Sequence, residues 1–295
     1  MLDTDLDLAA TLGADPAATL VARLVALHKR LAALGSVLVA FSGGADSAFL
    51  LAAAVRALGA QRVVAATAVS PSLASTELAD AASFAAGLGV RHESPRTDEM
   101  SREGYRANAG NRCYFCKSEL LDVLAPLADR LGLAVVATGT NADDAAAGFR
   151  PGIRAAAERG AVTPLLDAGL TKSQVRSASR EWGLATWDKP AAACLSSRIA
   201  YGETISSHRL ARIDSAEAAL RAALGAAGLP VRDLRIRDLG AAGARVEVDA
   251  ELAPVLAGRA DLLAVVRGFA AVQVDPRGFR SGSMNELLPD PVHSR

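Results

Sequence analysis

The sequence lacks several features that would place it in large classes of protein. Its 295 residues carry no formal net charge at neutral pH, with 32 basic and 32 acidic side chains. Because proteins that bind nucleic acid along an extended surface usually have a basic excess, this balance argues against such a partner. The most apolar stretch, residues 252–274, is interrupted by Arg259, Asp261 and Arg267, so the sequence predicts no membrane span.

Cysteine and lysine are both scarce. Three cysteines, an odd number, do not suggest a disulfide framework, and the acidic first twenty residues contain no basic segment typical of a secretory signal. We therefore expect a cytoplasmic protein. Only four of the 32 basic residues are lysines, namely Lys29, Lys117, Lys172 and Lys189. A lysine retained among arginines can mark a need for a compact ammonium group, although chance explains the pattern equally well.

Short apolar runs alternate with helical patterns over the first 190 residues. The runs at 36–41, 62–69 and 134–140 are typical of parallel strands that are buried on both faces. Several of the helical segments between them end at a glycine, as helices often do. The alternation predicts a doubly wound α/β sheet, whose ligand should lie at the carboxyl ends of the strands.

The pattern changes after Pro190. It predicts a small α+β unit of two helices and three strands, with the first two strands half-exposed; in chain order these are a helix at 208–228, strands at 233–240 and 244–249, a helix at 252–270 and a strand at 271–276. We therefore predict two domains, an α/β domain over 1–190 and a smaller substrate-binding or oligomerisation domain over 191–295.

The loop after the first strand lacks the lysine of the commonest phosphate-binding loop. A Walker loop reads Gly-x4-Gly-Lys-Ser/Thr, whereas this loop reads Ser42, Gly43, Gly44, Ala45, Asp46, Ser47. The glycines would let the main chain approach a phosphate, and the helix start and serine hydroxyls would supply hydrogen-bond donors. Since Asp46 would repel a phosphate unless Mg²⁺ lay between them, the loop predicts a magnesium nucleotide. A glycine-rich turn with a helix cap is the alternative.

In this context the loop resembles the SGGxDS motif of the PP-loop ATP pyrophosphatases, the superfamily of GMP synthetase, NAD synthetase and tRNA thiolases. The resemblance implies that ATP is cleaved between its α and β phosphates and that a carbonyl or carboxylate oxygen is adenylated. It does not select the substrate. Gly139, near the end of the predicted strand at 134–140, and Lys172 are further residues expected at the ATP site.

The three cysteines are Cys113 and Cys116, in a C-x2-C motif at a helix start, and Cys194. A structural zinc site would lack a fourth ligand unless His92 or His208 supplied it. A redox C-x2-C pair would leave Cys194 without a role, and ordinary burial is a further alternative. Three thiolates on a [4Fe–4S] cluster would leave one iron open to an extra ligand. The sequence favours the cluster, with redox or sacrificial thiols next.

Longer segments of the chain are similar to a single family, the ATP-dependent sacrificial sulfur transferases called LarE. The similarity extends over about residues 18–290, and its motifs are RPG at 150–152, K-P-x3-C-x-S-S-R at 189–198 and GFRSGxMN at 278–285. It implies adenylation of a carboxylate of pyridinium-3,5-biscarboxylate mononucleotide and insertion of sulfur, in the biosynthesis of the nickel-pincer cofactor of lactate racemase. It also implies a sulfide source and a homo-oligomer.

The family resemblance implies two forms of the enzyme. One gives up the sulfur of a single cysteine at the place of Cys194, and the other adds a C-x2-C motif and holds a [4Fe–4S] cluster. Because it has Cys113, Cys116 and Cys194, this chain resembles the cluster form and is expected to be a true catalyst. Together with Asp46, these cysteines are the expected catalytic residues.

Charged residues near and after Cys194 complete the expected substrate site. Arg235 and Arg237 are alternate residues of one predicted strand, so they point the same way, and by resemblance they match arginines that bind the substrate phosphate. A solvated strand face is the alternative. By resemblance Glu217 matches an acidic residue of functional importance, with a surface helix charge as the alternative. The other expected substrate residues are Ser197, Arg198 and Arg150.

Two other functions stay open at this point. A tRNA thiolase of the same superfamily would also use the loop, but the neutral charge and the lack of an obvious RNA-binding appendage argue against it. A non-catalytic sensor of ATP or of an iron–sulfur cluster would not need the complete set of loop residues that the chain retains.

Overall fold

The computed structural model describes residues 16–146, 151–190, 193–280 and 282–287. In these ranges the chain first alternates strand and helix around one sheet and then forms a second, smaller sheet. None of the described helices has both the length and the apolar character that crossing a membrane requires.

Four parallel strands form the first sheet, in the order β3-β2-β1-β4. They are β1 (Val37–Ala40), β2 (Val63–Ala66), β3 (Arg91–Glu93) and β4 (Val135–Thr138). β1 and β2 are buried at every position, as their continuous apolar runs predicted. β2 and β4 pair with opposite edges of β1, so the strand order reverses direction between β1 and β4. The loops after these two strands diverge there, and parallel sheets usually bind ligands at such a switch point.

Helices cover both faces of this sheet, which confirms the predicted doubly wound architecture. On one face lie α1 (Pro16–Leu34), α2 (Ala45–Leu58), α3 (Glu77–Gly87), α8 (Pro164–Asp167) and α9 (Lys172–Glu181). The opposite face is covered by α5 (Arg112–Arg130) and α7 (Pro151–Glu158). Two further short helices are α4 (Glu103–Arg106) and α6 (Ala142–Ala146). α9 begins with a capping box formed by Thr171 and Gln174.

The second sheet has three strands in the order β5-β6-β7. β5 (Leu234–Asp238) pairs antiparallel with β6 (Ala244–Val248), which pairs parallel with β7 (Val272–Val274). α10 (Ser207–Ala226) packs against the sheet, and α11 (Ala253–Ala257) and α12 (Ala260–Leu263) complete this core. The predicted domain boundary at 190/191 stays a prediction, since residues 191–192 lie outside the described ranges.

α5 begins at Arg112, so both cysteines of the C-x2-C motif lie in its first two turns, at a helix start as predicted. Two details differ from the sequence predictions. β5 is buried at every position instead of half-exposed, because one face packs with α10 and the other contacts the segment around Cys194. The helix predicted over 252–270 is instead the two short helices α11 and α12, with Gly258 at the end of α11.

Candidate functional site

A cavity of about 650 Å³ opens at the carboxyl edge of the first sheet. The residues that follow β1, β2, β3 and β4 line it, together with the start of α9. We call the part formed by residues 42–47, Lys172, Arg176 and Lys189 the loop end. We call the part that contains Cys116, Cys194 and Glu99 the cysteine end. The cavity therefore joins the motif that resembles an ATP loop to two of the three cysteines.

The loop of residues 42–47 is a tight turn stabilised by its own hydrogen bonds. Ser42 Oγ lies 3.2 Å from Ser47 Oγ, and Ser47 Oγ donates to the carbonyl of Gly44 at 3.0 Å. Gly43 adopts a φ of 72°, which glycine takes without strain. α2 then starts at Ala45, so the unpaired amides of its first turn border the cavity. Such a helix start is an anion-binding arrangement.

Gly139 is required by a close approach between two elements. It follows β4 and lies against the start of α2, where a Cβ atom would come 2.9 Å from the amide nitrogen of Ser47 and 3.0 Å from its Cα. A larger residue would therefore push the loop and β4 apart. Gly139 lines the cavity, so the structure brings it next to the loop as the sequence predicted.

Ion pairs surround the loop. Lys172 Nζ lies 2.9 Å from the carboxylate of Asp144, and Lys189 Nζ lies 2.8 Å from that of Glu77. Lys172 is thus placed at the loop end as expected, and Lys189 joins it there. Arg176, which the sequence did not single out, also lines the cavity and donates to the main-chain oxygens of Trp187 and Lys189 at 3.1 and 2.9 Å.

Asp46 differs from the other carboxylates at the loop end because no ion pair to it is found among the described residues. Burial raises its pKa, and repulsion from Asp144 adds to the rise, while Lys172 opposes it. A half-buried carboxylate beside a second carboxylate is a suitable place for a divalent cation, which would relieve the repulsion.

The cysteine end contains free thiols that influence one another. Cys116 and Cys194 line the cavity, whereas Cys113 is exposed and does not. Burial raises the pKa of Cys116, and the charges of Cys194, Glu99 and Cys113 raise it further. The three thiols therefore lie within electrostatic reach of each other.

The described residues do not form a site for a single metal ion from three or more His, Cys, Asp or Glu side chains. His92, one of the proposed fourth zinc ligands, instead hydrogen bonds to Thr67 at 2.8 Å. His208, the other, is exposed on α10. The zinc alternative is therefore not supported by the arrangement of the described side chains.

Arg198 holds the segment that carries Cys194. Its guanidinium donates to the carbonyl oxygens of Ala193 and Cys194, the latter at 3.1 Å. On its other side it forms a two-point ion pair with Glu217, at 3.0 and 3.2 Å. Glu217 also accepts from the amide of Ile236 at 3.0 Å. Glu217 is therefore a fixed partner of Arg198 rather than a free helix surface charge.

Arg112 is a residue that the sequence analysis missed. Its guanidinium donates to Asn108 Oδ1 at 2.5 Å and to the carbonyl of Ser196 at 3.0 Å. Burial acts to lower its pKa, but the charges of Cys194, Cys113, Tyr201 and Tyr105 together outweigh burial and raise it. Arg112 thus brings a buried positive charge close to the thiols. Its place directly before Cys113 was the only sequence signal, because Ser196 is 84 residues away.

Arg235 and Arg237 lie on β5, as predicted, but both are buried, so the solvated-face alternative is wrong. Arg237 donates twice to Glu247, at 2.9 and 2.7 Å, and once to the carbonyl of Ser197 at 3.3 Å. Arg235 packs 5.1 Å from the ring centre of Phe279. Burial lowers the pKa of each arginine, and repulsion from Arg198 contributes to both shifts. Neighbouring guanidinium groups that repel one another favour a bound anion.

The structure therefore brings the predicted site residues together in two neighbouring groups. All loop residues except Gly43 line the cavity, together with Gly139, Lys172, Cys116 and Cys194, whereas Cys113 does not. The second group does not line it but is joined to the segment at residues 193–198, and consists of Ser197, Arg198, Glu217, Arg235 and Arg237. Arg150 lies outside the described residues.

Glu99 is a third residue that the sequence analysis missed, after Arg176 and Arg112. One of its carboxylate oxygens accepts from the hydroxyls of Ser70 and Ser72, and the other accepts from Thr97 at 3.1 Å. It is only 2 % exposed yet borders the cavity near Cys116. Nothing in the sequence marked it, because it begins a one-turn 3-10 helix after β3, Glu99–Ser101, that carries no motif.

Comparison with known proteins extends over nearly the whole chain, although no protein-family model matches it. The chain is 34% identical over 275 residues to the pyridinium-3,5-bisthiocarboxylic acid mononucleotide synthase of Lactiplantibacillus plantarum. The matched region covers 92% of this chain and 96% of that protein. An uncharacterized Synechocystis protein is 42% identical over 274 residues, 91% of this chain and 99% of its own length. An uncharacterized Methanocaldococcus jannaschii protein is 27% identical over 176 residues, which cover 59% of this chain and 66% of that protein.

Proposed function

Because the chain belongs to the family of the Lactiplantibacillus plantarum pyridinium-3,5-bisthiocarboxylic acid mononucleotide synthase, we propose that it inserts sulfur into a carboxylate that ATP has activated. The proposed substrate is pyridinium-3,5-biscarboxylate mononucleotide, and the product is its thiocarboxylate, a precursor of the nickel-pincer cofactor of lactate racemase. The observation that carries the proposal is the single cavity with the loop at one end and Cys116 and Cys194 at the other.

The loop end suits the activation step. A carboxylate resists a sulfur nucleophile because it has no good leaving group, whereas an acyl adenylate releases AMP. Attack of the carboxylate oxygen on the α-phosphate of ATP expels pyrophosphate. The amides of the first turn of α2, the hydroxyls of Ser42 and Ser47, and the ammonium groups of Lys172 and Lys189 would bind the phosphates and stabilise the charge that develops.

Magnesium fits at Asp46. The carboxylate is half-buried next to Asp144, and within the described ranges no ion pair to it is found. When bound, the ion would neutralise the phosphate oxygens and hold the nucleotide in line with the incoming carboxylate. Lys172 would then remain on Asp144, where it limits the negative charge around the metal.

A [4Fe–4S] cluster fits the donor set at the cysteine end. Three thiols supply three ligands and leave one iron open, and each thiolate binds a different iron, so no single-ion site is needed. When bound, the cluster would supply an iron that carries a labile sulfide. Cys113, Cys116 and Cys194 would hold it, and the guanidinium of Arg112 would offset part of the thiolate charge.

The arginine group next to Cys194 suits the phosphate of the mononucleotide. Arg235, Arg237 and Arg198 are mutually repelling cations, and a phosphate monoester accepts several guanidinium hydrogen bonds at once. Since Arg198 also holds the carbonyl of Cys194, phosphate bound there would fix the substrate relative to the sulfur site. A sulfide source, a homo-oligomer and a cytoplasmic location remain predictions.

The proposal is tested by product analysis. Anaerobically purified protein is incubated with Mg-ATP, the pyridinium biscarboxylate mononucleotide and sodium sulfide. We expect AMP, pyrophosphate and a thiocarboxylate product in the mass spectrum. Release of ADP and phosphate would contradict the activation step. Metal analysis of the same protein should find iron, and zinc in its place would contradict the cluster.

A further inference from the structure

The cavity has four carboxylates among its described lining residues, and one of them stands apart. They are Asp46, Glu77, Glu99 and Asp144. Asp46 belongs to the loop itself, and Glu77 and Asp144 are paired with lysines at the loop end. Glu99 lies at the cysteine end, and no lysine or arginine pairs with it in the part of the chain that the structure describes. Of these four carboxylates, Glu99 is the one whose position suits a role in the sulfur-insertion step.

The surroundings of Glu99 consist of hydroxyl groups. Ser70 and Ser72 donate to one carboxylate oxygen and Thr97 donates to the other. Hydroxyl donors support a buried carboxylate without placing a cation against it. A carboxylate in such surroundings is suited to act as a general base. A serine hydroxyl can also accept a proton on one side while it donates on the other.

Ser72 connects Glu99 to the sulfur site. Its hydroxyl donates to Glu99, and its carbonyl accepts from the amide of Leu195, the residue after Cys194, at 2.9 Å. Ser72 also lines the cavity, so its hydroxyl borders the space between the loop and the cysteines. The charge of Glu99 also contributes to raising the pKa of the Cys116 thiol, so the carboxylate lies within electrostatic reach of that thiol.

The hydrogen bonds that Glu99 accepts from the three hydroxyl groups are not needed to join the segments after β2 and β3. The segments after β2 and β3 are already paired by main-chain hydrogen bonds, from Val69 to Pro95 at 2.8 Å and from Thr97 to Val69 at 3.2 Å. A buried carboxylate would add the cost of desolvation to a connection that the main chain makes without it. This points to a chemical role for the carboxylate.

We propose, on the basis of the proposed function, that Glu99 accepts the proton released when sulfur displaces AMP, with the Ser72 hydroxyl as the relay. Hydrosulfide forms the new carbon–sulfur bond as the carbon–oxygen bond to AMP breaks, and the electron pair of that bond leaves with AMP. Hydrosulfide brings one proton, which the more acidic thiocarboxylic acid gives up. The proton passes through Ser72 to Glu99 and returns to solvent after AMP departs. No electron is transferred, and a Cys194 thiol acting as nucleophile would release the same proton.

The test separates the two half-reactions in the E99Q variant, with E103Q as a matched control, because Glu103 is an exposed carboxylate four residues away. Adenylation is measured as substrate-dependent exchange between ATP and labelled pyrophosphate. Sulfur insertion is measured as thiocarboxylate formed in a single turnover with sodium sulfide. We expect exchange within about twofold of the wild type in E99Q, and sulfur insertion slower by roughly 100-fold or more. E99D should recover part of the loss, and E103Q should match the wild type in both.

A second pair of variants keeps the inference testable if E99Q does not fold. S72A and T97A each remove one hydroxyl donor to Glu99, but only Ser72 is the relay. We expect S72A to slow sulfur insertion at least about tenfold more than T97A does, with exchange preserved in both. Equal effects of S72A and T97A, unchanged insertion in E99Q, or parallel loss of both half-reactions in E99Q would overturn the inference. A wild type that shows no substrate-dependent exchange would instead overturn the proposed function.

Discussion

The two ends of the cavity are built in different ways. The loop end is built around six consecutive residues, 42–47, that hydrogen bond to one another across a tight turn, and basic side chains from later in the chain complete it. The cysteine end has no such run of consecutive residues. The segment that follows Cys194 is held by residues that do not line the cavity, with Arg112 on the carbonyl of Ser196, 84 residues away, and Arg237 on that of Ser197, 40 residues away.

This difference suggests that the two ends can be altered separately. A change at the loop end should disturb the nucleotide and therefore everything that follows activation. A change at the cysteine end should spare activation and disturb only the entry of sulfur. The same cavity would then hold two half-reactions that mutations can uncouple.

The largest effect is expected from replacing Cys194. In C194S the hydroxyl is a poor iron ligand and a poor sulfur donor, so thiocarboxylate formation should fall by at least about 1,000-fold or be lost. Substrate-dependent ATP–pyrophosphate exchange should continue, because the loop end is untouched. Loss of exchange together with sulfur insertion would show that the two ends are not separable.

Replacing Asp46 is expected to impair adenylation itself, which replacing Cys194 should spare. In D46N the proposed magnesium ligand is lost, so exchange should fall by roughly 100- to 1,000-fold and sulfur insertion should fall with it. The folded protein should nevertheless be as stable as the wild type or more so by about 1 kcal/mol in metal-free buffer, because a carboxylate half-buried beside Asp144 is removed.

The stability gain of D46N has a defined pH dependence. The pKa of Asp46 in the folded protein is raised above its ordinary value of 3.8. The wild type therefore becomes less stable relative to D46N as pH rises through that raised pKa, and the two should converge in more acid buffer. Urea unfolding of both proteins at several pH values measures this. A wild type that is clearly more stable than D46N at neutral pH would contradict the account.

A large loss of stability is expected from breaking the ion pair behind Cys194. Side-chain exposures of 5% for Arg198 and 14% for Glu217 mean that E217Q leaves a buried guanidinium unpaired. Unfolding in urea should show a loss of about 3 kcal/mol. The matched control is D261N, which breaks the exposed pair of Arg259 and Asp261 and should leave stability unchanged. Similar behaviour of the two variants would refute the proposed role of Glu217.

The smallest effects are expected from replacing two glycines, Gly139 and Gly225, and the two replacements should change stability in opposite directions. In G139A the added methyl group meets the main chain of Ser47, so we expect a loss of about 1–3 kcal/mol and weaker ATP binding. In G225A the methyl group has no atom within 4 Å and lies inside α10, so stability should rise by about 0.5–1 kcal/mol. Thermal unfolding with and without Mg-ATP distinguishes them, and a neutral G139A would show that the close approach relaxes easily.

Much of the first sheet and the loop could be predicted from the sequence. Buried parallel strands appear as continuous apolar runs, and residues 42–47 carry their function in consecutive positions. The burial of β5 could not be predicted in this way, because arginine at alternate positions is the usual pattern of an exposed strand face. Here Arg237 is instead buried against Glu247 of the neighbouring strand.

The residues that support the cysteine end could not be predicted from the sequence either. Arg112 and Glu99 act through partners that are distant in the chain or lie in irregular segments, and neither belongs to a motif that physical chemistry requires at a given spacing. Such residues become visible only when folding brings Ser72 and the segment after Cys194 together.

Isotope transfer tests the central claim most directly. The pyridinium substrate is labelled with ¹⁸O in its carboxylates, and the products of one turnover with Mg-ATP and sulfide are analysed by mass spectrometry. If the carboxylate attacks the α-phosphate at the loop end and sulfur replaces AMP at the cysteine end, AMP must carry one ¹⁸O and pyrophosphate none. Unlabelled AMP accompanied by a thiocarboxylate product would contradict the account.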